Sequence, residues 1–323
     1  MKYYLCLDLG GTKTSVALFH QNGMMADDFV HVVASRTFKG ESAVYDNTKG
    51  AVNFILDKYK LTFNDLIGIG VGCPGPLDVE SGIIINAPLM GWNNFPLKKK
   101  LTEDFHVPVM IDNDGNLGAL AEQRCGIAKG LKQVIYVTVS TGVGAGIIID
   151  GEIYHGKSDG AGEFGHLSID QNGRECPCGS KGCLELYCSG TAIKNTLRQD
   201  EKKGIKSPVF QAAREEGKQL DAKLLARFAA QNDTYAVKLF EKIGWTLGYG
   251  LSYLFNLFDP EVVVIGGGVS KSHQFFEQAV RKALKQYTII AVKDSQVVYS
   301  QMCDTVVLFG AYYLIKESIE RGG

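Results

Sequence analysis

The run Asp112-Asn113-Asp114-Gly115-Asn116 stands between a short apolar stretch, Val109–Ile111, and a helical pattern over Leu117–Arg124. A carboxylate at such a corner can orient an alcohol and take its proton, as phosphoryl transfer to a hydroxyl requires, with most of the remaining catalysis electrostatic. Asp114 is the candidate base, and Asn113 beside it can both donate to and accept from hydroxyl groups. A plainer reading is available for the same residues. Asp and Asn are favoured helix N-caps, and this is where an N-cap belongs. These residues alone leave both readings open.

Three glycine turns offer sites for anions, because backbone N–H groups approach a phosphate closely only where no Cβ intervenes. In Asp8-Leu9-Gly10-Gly11-Thr12-Lys13 the glycines have an acid at their mouth and a hydroxyl and an amine beyond. The P-loop pattern is absent, and Thr14–Phe19 reads as a strand rather than a helix, so the hairpin itself would cradle the anion. Thr141-Gly142-Val143-Gly144 has the same character. Gly266-Gly267-Gly268, between a strand and a helix, leaves room for a flat ligand such as a purine. Each turn taken singly can also be a tight turn and nothing more. A dinucleotide fingerprint is excluded at Gly142–Gly146, because Ile147 breaks the glycine spacing and a strand follows where a helix is needed.

Glu163-Phe164-Gly165-His166 precedes Cys176-Pro177-Cys178-Gly179-Ser180-Lys181-Gly182-Cys183-Leu184-Glu185. Three thiolates (Cys176, Cys178, Cys183) and the His166 imidazole make a closed tetrahedral set for Zn²⁺, with no position left for water, so a structural ion is expected. The C-x-C spacing fits a redox centre poorly. Glu163 and Glu185 flank the cluster and can accept hydrogen bonds from sugar hydroxyls; the plainer reading makes them solvated loop acids.

These groups need a scaffold. At 323 residues two lobes are expected. The hydrophobic share of 45% and charged share of 21% allow a core without disulfides, and a net charge of −1 gives no footprint for nucleic acid or an anionic membrane. No signal peptide precedes the first strand and no apolar run spans a bilayer, so a soluble cytoplasmic protein is expected. Strand–glycine turn–strand occurs at residues 3–19 and again at 134–149, which suggests two related lobes. The expected division is a small N-terminal α/β lobe over 1–112 and a larger α/β lobe over 113–304 containing the zinc loop 163–185. A C-terminal helix over about 305–323 can pack back onto the first lobe.

Together Asp8–Lys13, Gly72-Cys73-Pro74-Gly75-Pro76, Asn86-Ala87-Pro88, Asn113-Asp114, Ser140–Gly144, Glu163–His166 and Cys176–Glu185 resemble the ROK (repressor, open reading frame, kinase) family of bacterial sugar kinases over nearly the whole chain. The resemblance implies an α/β, two-lobed ribonuclease-H-like fold of the actin/hexokinase type with a structural zinc loop, and an ATP-dependent kinase acting on a hexose. Glucose phosphorylated at O6 is the default, with N-acetylmannosamine or N-acetylglucosamine as alternatives. It assigns Asp114 as base and Gly75, Asn86, Asn113, Asp114, Glu163, His166 and Glu185 to the sugar. Gly10, Gly11, Thr12, Lys13, Thr141, Gly142, Gly144 and Gly267 fall to ATP, Asp8 to Mg²⁺, and His166, Cys176, Cys178 and Cys183 to Zn²⁺. A homodimer or homotetramer is implied as well. The loop Asn86–Trp92 is a residue shorter than the family's common form, which bears on sugar identity. Two other classes are disfavoured. A ROK-type sugar-sensing regulator would carry a helix-turn-helix ahead of Asp8, and an actin-like filament or chaperone ATPase has no use for the zinc loop.

Overall fold

Along β1 (Tyr3–Leu9) successive side chains point to opposite faces, and each face meets its own core. Leu5, Leu7 and Leu9 pack with Val16 and Leu18 of β2 (Lys13–His20), Val52, Ile55 and Leu56 of α1 (Glu41–Tyr59), and Leu97, Leu101 and Phe105 of α2 (Leu97–Phe105). Tyr4 and Cys6 pack on the other side with Ala17 and Phe19 of β2, Leu117 and Leu120 of α3 (Asp114–Arg124), and Leu308, Ala311, Tyr312 and Ile315 of α10 (Val306–Gly322). The sheet so enclosed runs β3 (His31–Ala34), β2, β1, β4 (Leu66–Cys73), β8 (Val109–Asn113). β1 is antiparallel to β2 and parallel to β4, and β4 is parallel to β8.

This computed structural model describes residues 2–35, 40–289, 296–302 and 304–322. The chain divides into two compact units: unit 1 is Met1–Gly130, Gly146–Gly162 and Asp304–Gly323, and unit 2 is Leu131–Ala145 and Glu163–Cys303. Unit 1 also holds a small antiparallel sheet of β5 (Leu77–Asp78), β6 (Ile83–Ala87) and β7 (Trp92–Phe95), closed by the stacked rings of Trp92 and Phe95 at 4.4 Å. The second five-stranded sheet has the order β11 (Glu152–Ile153), β10 (Val143–Ile149), β9 (Val134–Val139), β12 (Val262–Gly266), β13 (Val297–Tyr299). β12 is buried along its whole length and parallel to β9 and β13, which explains its unbroken apolar run.

Helices of unit 2 are α4 (Glu185–Cys188), α5 (Gly190–Lys202), α6 (Pro208–Glu215), α7 (Ala222–Ala229), α8 (Thr234–Phe258) and α9 (Glu277–Tyr287). α8 meets α9 through Gly244 and Gly248, where a Cβ would come within 2.3 Å of Phe276 O and 2.5 Å of Val280 O. Among the described residues no helix is long and apolar enough to cross a membrane. α3 begins at Asp114, three residues before the apolar periodicity starts, because Asn113 caps it.

α10 lies against β4 and α3 by the same device of missing side chains. A Cβ on Gly70 of β4 would stand 2.0 Å from Ala311 O, and one on Gly310 would stand 2.1 Å from Leu117 O. Gly70→Ala is therefore expected to destabilise unit 1 by about 1–3 kcal/mol through overpacking. Gly50→Ala, on an exposed turn of α1 with nothing within 4 Å of the new Cβ, should instead stabilise by up to ~1 kcal/mol. Thermal or urea unfolding of the pair checks both signs.

Candidate active site and metal centre

In unit 1 the strand β8 delivers Asn113 and Asp114 to the first turn of α3. Asn113 Oδ1 accepts the Gly115 N–H at 2.8 Å and is the N-cap, which answers the capping question raised by the sequence. Asp114 Oδ1 accepts the same N–H, also at 2.8 Å, so its carboxylate lies at the positive end of α3. Asp8 reaches this neighbourhood from β1. Burial first, and then the Asp114 charge, push the Asp8 carboxyl up to about 7; Asp304 adds to the rise and Lys13 opposes it. Lys13 Nζ is itself 3.7 Å from Asp304.

The turn between β1 and β2 is braced from behind. Gly10 N–H donates to Lys13 O at 2.9 Å, Ser35 Oγ donates to Gly10 O at 2.6 Å, and Ser35 N–H donates to Thr12 O at 3.1 Å. The carbonyls are thereby engaged, while the N–H groups of Gly11 and Thr12 have no partner among the described residues. That is the polarity of an anion cradle. Leu89, in the short loop after β6, sits over the turn: a Cβ on Gly11 would meet its Cδ1 at 2.9 Å. Gly75 lies against Asn113, where a Cβ would be 3.2 Å from Nδ2. Pro76 O accepts from Ile85 N–H at 2.9 Å and Asn86 N–H at 3.3 Å, so the Gly75 loop is tied to the strand that carries Asn86.

Unit 2 has a glycine turn of its own. Ser140 N–H donates to Gly142 O at 2.9 Å, and the start of α5 holds the turn through Gly190 N–H to Ser140 O at 2.7 Å and Thr191 N–H to Thr141 O at 3.2 Å. A Cβ on Gly142 would lie 3.0 Å from Glu185 Oε2, which places that acid beside the turn. Gly144 follows on β10, its Cα facing the Thr138 methyl. Gly267, at φ +87°, crosses the end of β9, where a Cβ would be 2.5 Å from Val139 O; Val269 N–H then donates to Val139 O at 3.0 Å. Only glycine serves at Gly267 on both counts.

The ligand atoms of His166, Cys176, Cys178 and Cys183 all lie within 4.8 Å of one another. Cys178 Sγ and Cys183 Sγ are 3.6 Å apart, and Cys176 Sγ and His166 Nδ1 are 3.7 Å apart. A tetrahedral Zn²⁺ with Zn–S near 2.3 Å needs ligand separations of about 3.8 Å, so the set fits that ion. Burial and neighbouring sulfurs push Cys183 up to about 12 and raise Cys176, while a backbone N–H lowers Cys178. Thiols so placed become thiolates together only with a cation among them. The same histidine is 3.7 Å from Glu185 Oε1 and 4.0 Å from Glu163 Oε2, so whatever fixes the ring also fixes its relation to both acids.

Two polar residues escape a sequence reading. Asp112 is completely buried, and its carboxylate pairs with His155 Nε2 at 2.8 Å. Ser35 braces the glycine turn as described. No local motif joins either to its partner, 43 and 25 residues away in the chain.

The ROK family model matches residues 4–318. A glucokinase of Halalkalibacterium halodurans is 32% identical over 99% of this chain and 98% of its own. The xylose repressor of Bacillus subtilis is 36% identical over 67% of this chain and 52% of its own. A ROK family glucokinase from Streptomyces griseus, solved with glucose and AMPPNP, superposes with a TM-score of 0.83 at 29% identity, covering 97% of this chain and 98% of that one.

Purified protein is expected to carry one equivalent of zinc by elemental analysis, and Cys178→Ser to lose it, since its thiolate is one of the four ligands. Wild-type zinc content in that variant would remove Cys178 from the ligand set. Asp8 gives a second test. Its folded proton affinity exceeds the unfolded value near 3.9, so rising pH destabilises the fold between about 4 and 7 and no further above that. In metal-free and nucleotide-free buffer, Asp8→Asn should gain thermal stability over wild type across that window, with the gain level at higher pH.

Proposed function

The chain belongs to the ROK family and has its two-unit, actin/hexokinase-like α/β fold, and from that premise we propose that it is a sugar kinase using ATP and Mg²⁺. One observation carries the reading: Asp8 and Asp114 stand close enough for one charge to oppose the other, beside a glycine turn with open N–H groups. A base for the acceptor hydroxyl and a seat for a cation at the phosphates require this pairing.

In the proposed reaction a sugar hydroxyl oxygen attacks the γ-phosphorus while its proton passes to Asp114. The bond to the β,γ-bridging oxygen breaks, and ADP leaves with that electron pair. Gly10, Gly11, Thr12, Lys13, Thr141, Gly142 and Gly144 are assigned to phosphate through backbone and side-chain donors, and Gly267 to the adenosine. Asp8 would hold Mg²⁺, which supplies neutralisation of phosphate charge. Gly75, Asn86, Asn113, Glu163, His166 and Glu185 are assigned to the sugar.

Glucose at O6 is the favoured acceptor, supported by full-length similarity to proteins named glucokinases. N-acetylmannosamine and N-acetylglucosamine are the alternatives. A sugar-sensing role without transfer is the second reading, prompted by similarity to xylose repressors.

ADP release measured across glucose, mannose, fructose, N-acetylmannosamine and N-acetylglucosamine tests the proposal, with glucose expected to stimulate most. Sugar binding without stimulation by any of them would favour the sensor. Asp114→Asn should lower turnover by about 10²–10⁴-fold with zinc content and melting behaviour retained. Turnover at the wild-type rate in that variant would remove Asp114 as base.

A further inference from the structure

The Asp112 carboxylate is fully enclosed, and each of its oxygens has a defined task. Oδ1 accepts from the Asn113 N–H at 2.7 Å and from Asn116 Nδ2 at 2.9 Å. Those donors lie on either side of Asp114: one is the peptide N–H just before it, the other a side chain two residues after it on α3. Oδ2 pairs with His155 Nε2 at 2.8 Å. Opposite this clamp, Gly146 presses on the same corner, with room for no side chain; a Cβ there would be 2.1 Å from Gly115 O.

His155 reaches Asp112 from a loop that is itself pinned. Tyr154 N–H donates to Ile147 O at 2.8 Å, Ala161 N–H to His155 O at 3.1 Å, and Val79 N–H to Asp159 Oδ2 at 2.9 Å. The imidazole is therefore held in place, and the hydrogen bond to Asp112 raises its proton affinity, with burial opposing and Asp159 adding to the effect. A buried carboxylate oxygen deprived of such a partner is left unpaired or draws in water. Water entering to pair Oδ2 would loosen the corner on which Oδ1 holds Asn113 and Asn116, and the turn that carries Asp114 would relax.

Building on the kinase reading, we propose that His155 is a positioning residue for transfer: acting through Asp112, it holds the Asn113–Asn116 corner so that the Asp114 carboxylate meets the acceptor hydroxyl in reactive geometry. Displacement by about 1 Å at a reacting group costs turnover on the order of 100-fold, while ground-state sugar contacts made elsewhere persist. The signature is a loss in kcat that is not shared by KM.

The test compares His155→Ala, His155→Gln and Asn116→Ala with wild type for kcat, sugar KM, zinc content and unfolding midpoint. His155→Ala is expected to lose ~100-fold in kcat with sugar KM within about threefold of wild type. His155→Gln keeps an N–H donor for Asp112 and should recover most of that loss. Asn116→Ala removes one bond to the same carboxylate, should lower kcat in the same selective way, and decides the matter if His155→Ala does not fold. Folded variants with wild-type kcat, or kcat falling only in proportion to the folded fraction, would overturn the positioning role while an active wild type leaves the kinase reading standing. A wild type that releases no ADP with any sugar overturns the kinase reading and this inference with it.

Discussion

Keeping a second carboxylate near Asp8 costs free energy, because burial and the Asp114 charge both oppose ionisation and lift Asp8 to about 7. The architecture of unit 1 enforces that cost. β1, β4 and β8 are aligned so that Asp8, Gly72 and Asp112 fall in one row across the sheet, and Asp114 follows two residues past the row. Gly72 has no side chain to part the acids, and the space a Cβ would need is filled by Val307 of α10. The hairpin turn, the α3 cap and the packing of α10 are thus conditions for one electrostatic arrangement rather than separate features.

Unit 2 repeats the principle with different atoms. Cys176, Cys178 and Cys183 crowd one another and His166 in a short loop, and the crowding disfavours the thiolate form of the buried members until a cation is present. The gain is positional. His166 is shared between the sulfurs and the acids Glu163 and Glu185, and Glu185 in turn lies against Gly142 of the phosphate-type turn. One ion can therefore set the orientation of side chains that have no covalent reason to converge.

What the sequence made legible follows from the range of each interaction. The zinc ligands and the glycine turns are local, so residue type and spacing carry the chemistry directly, and the structure groups His166 with the three cysteines as the spacing suggests. The capping question at Asn113-Asp114 was open because cap and base share residue types; the hydrogen bond from Gly115 to Asn113 Oδ1 gives the cap to Asn113. The β5–β7 sheet was missed because its strands are two to five residues long and half exposed, with too few alternations to register. The Asp112–His155 pair was missed for a different reason. A contact 43 residues long depends on β8 and the loop after β11 arriving at one place, and nothing at either position announces the other.

A scaffold found both in glucokinases and in xylose repressors does not by itself assign an activity, so the assignment has to rest on groups that only one of the two uses. Sugar recognition alone calls for hydroxyl partners, the role proposed for Asn86, Glu163 and Glu185. It gains nothing from a partly buried acid whose ionisation is opposed, from a hydrogen bond between a buried carboxylate and an imidazole beside the same turn, or from a braced hairpin with open N–H groups. Each of those lowers or merely preserves stability, and features that cost stability persist where function repays them. Their concentration at the Asp8–Asp114 end of unit 1 is the physical argument for transfer over sensing.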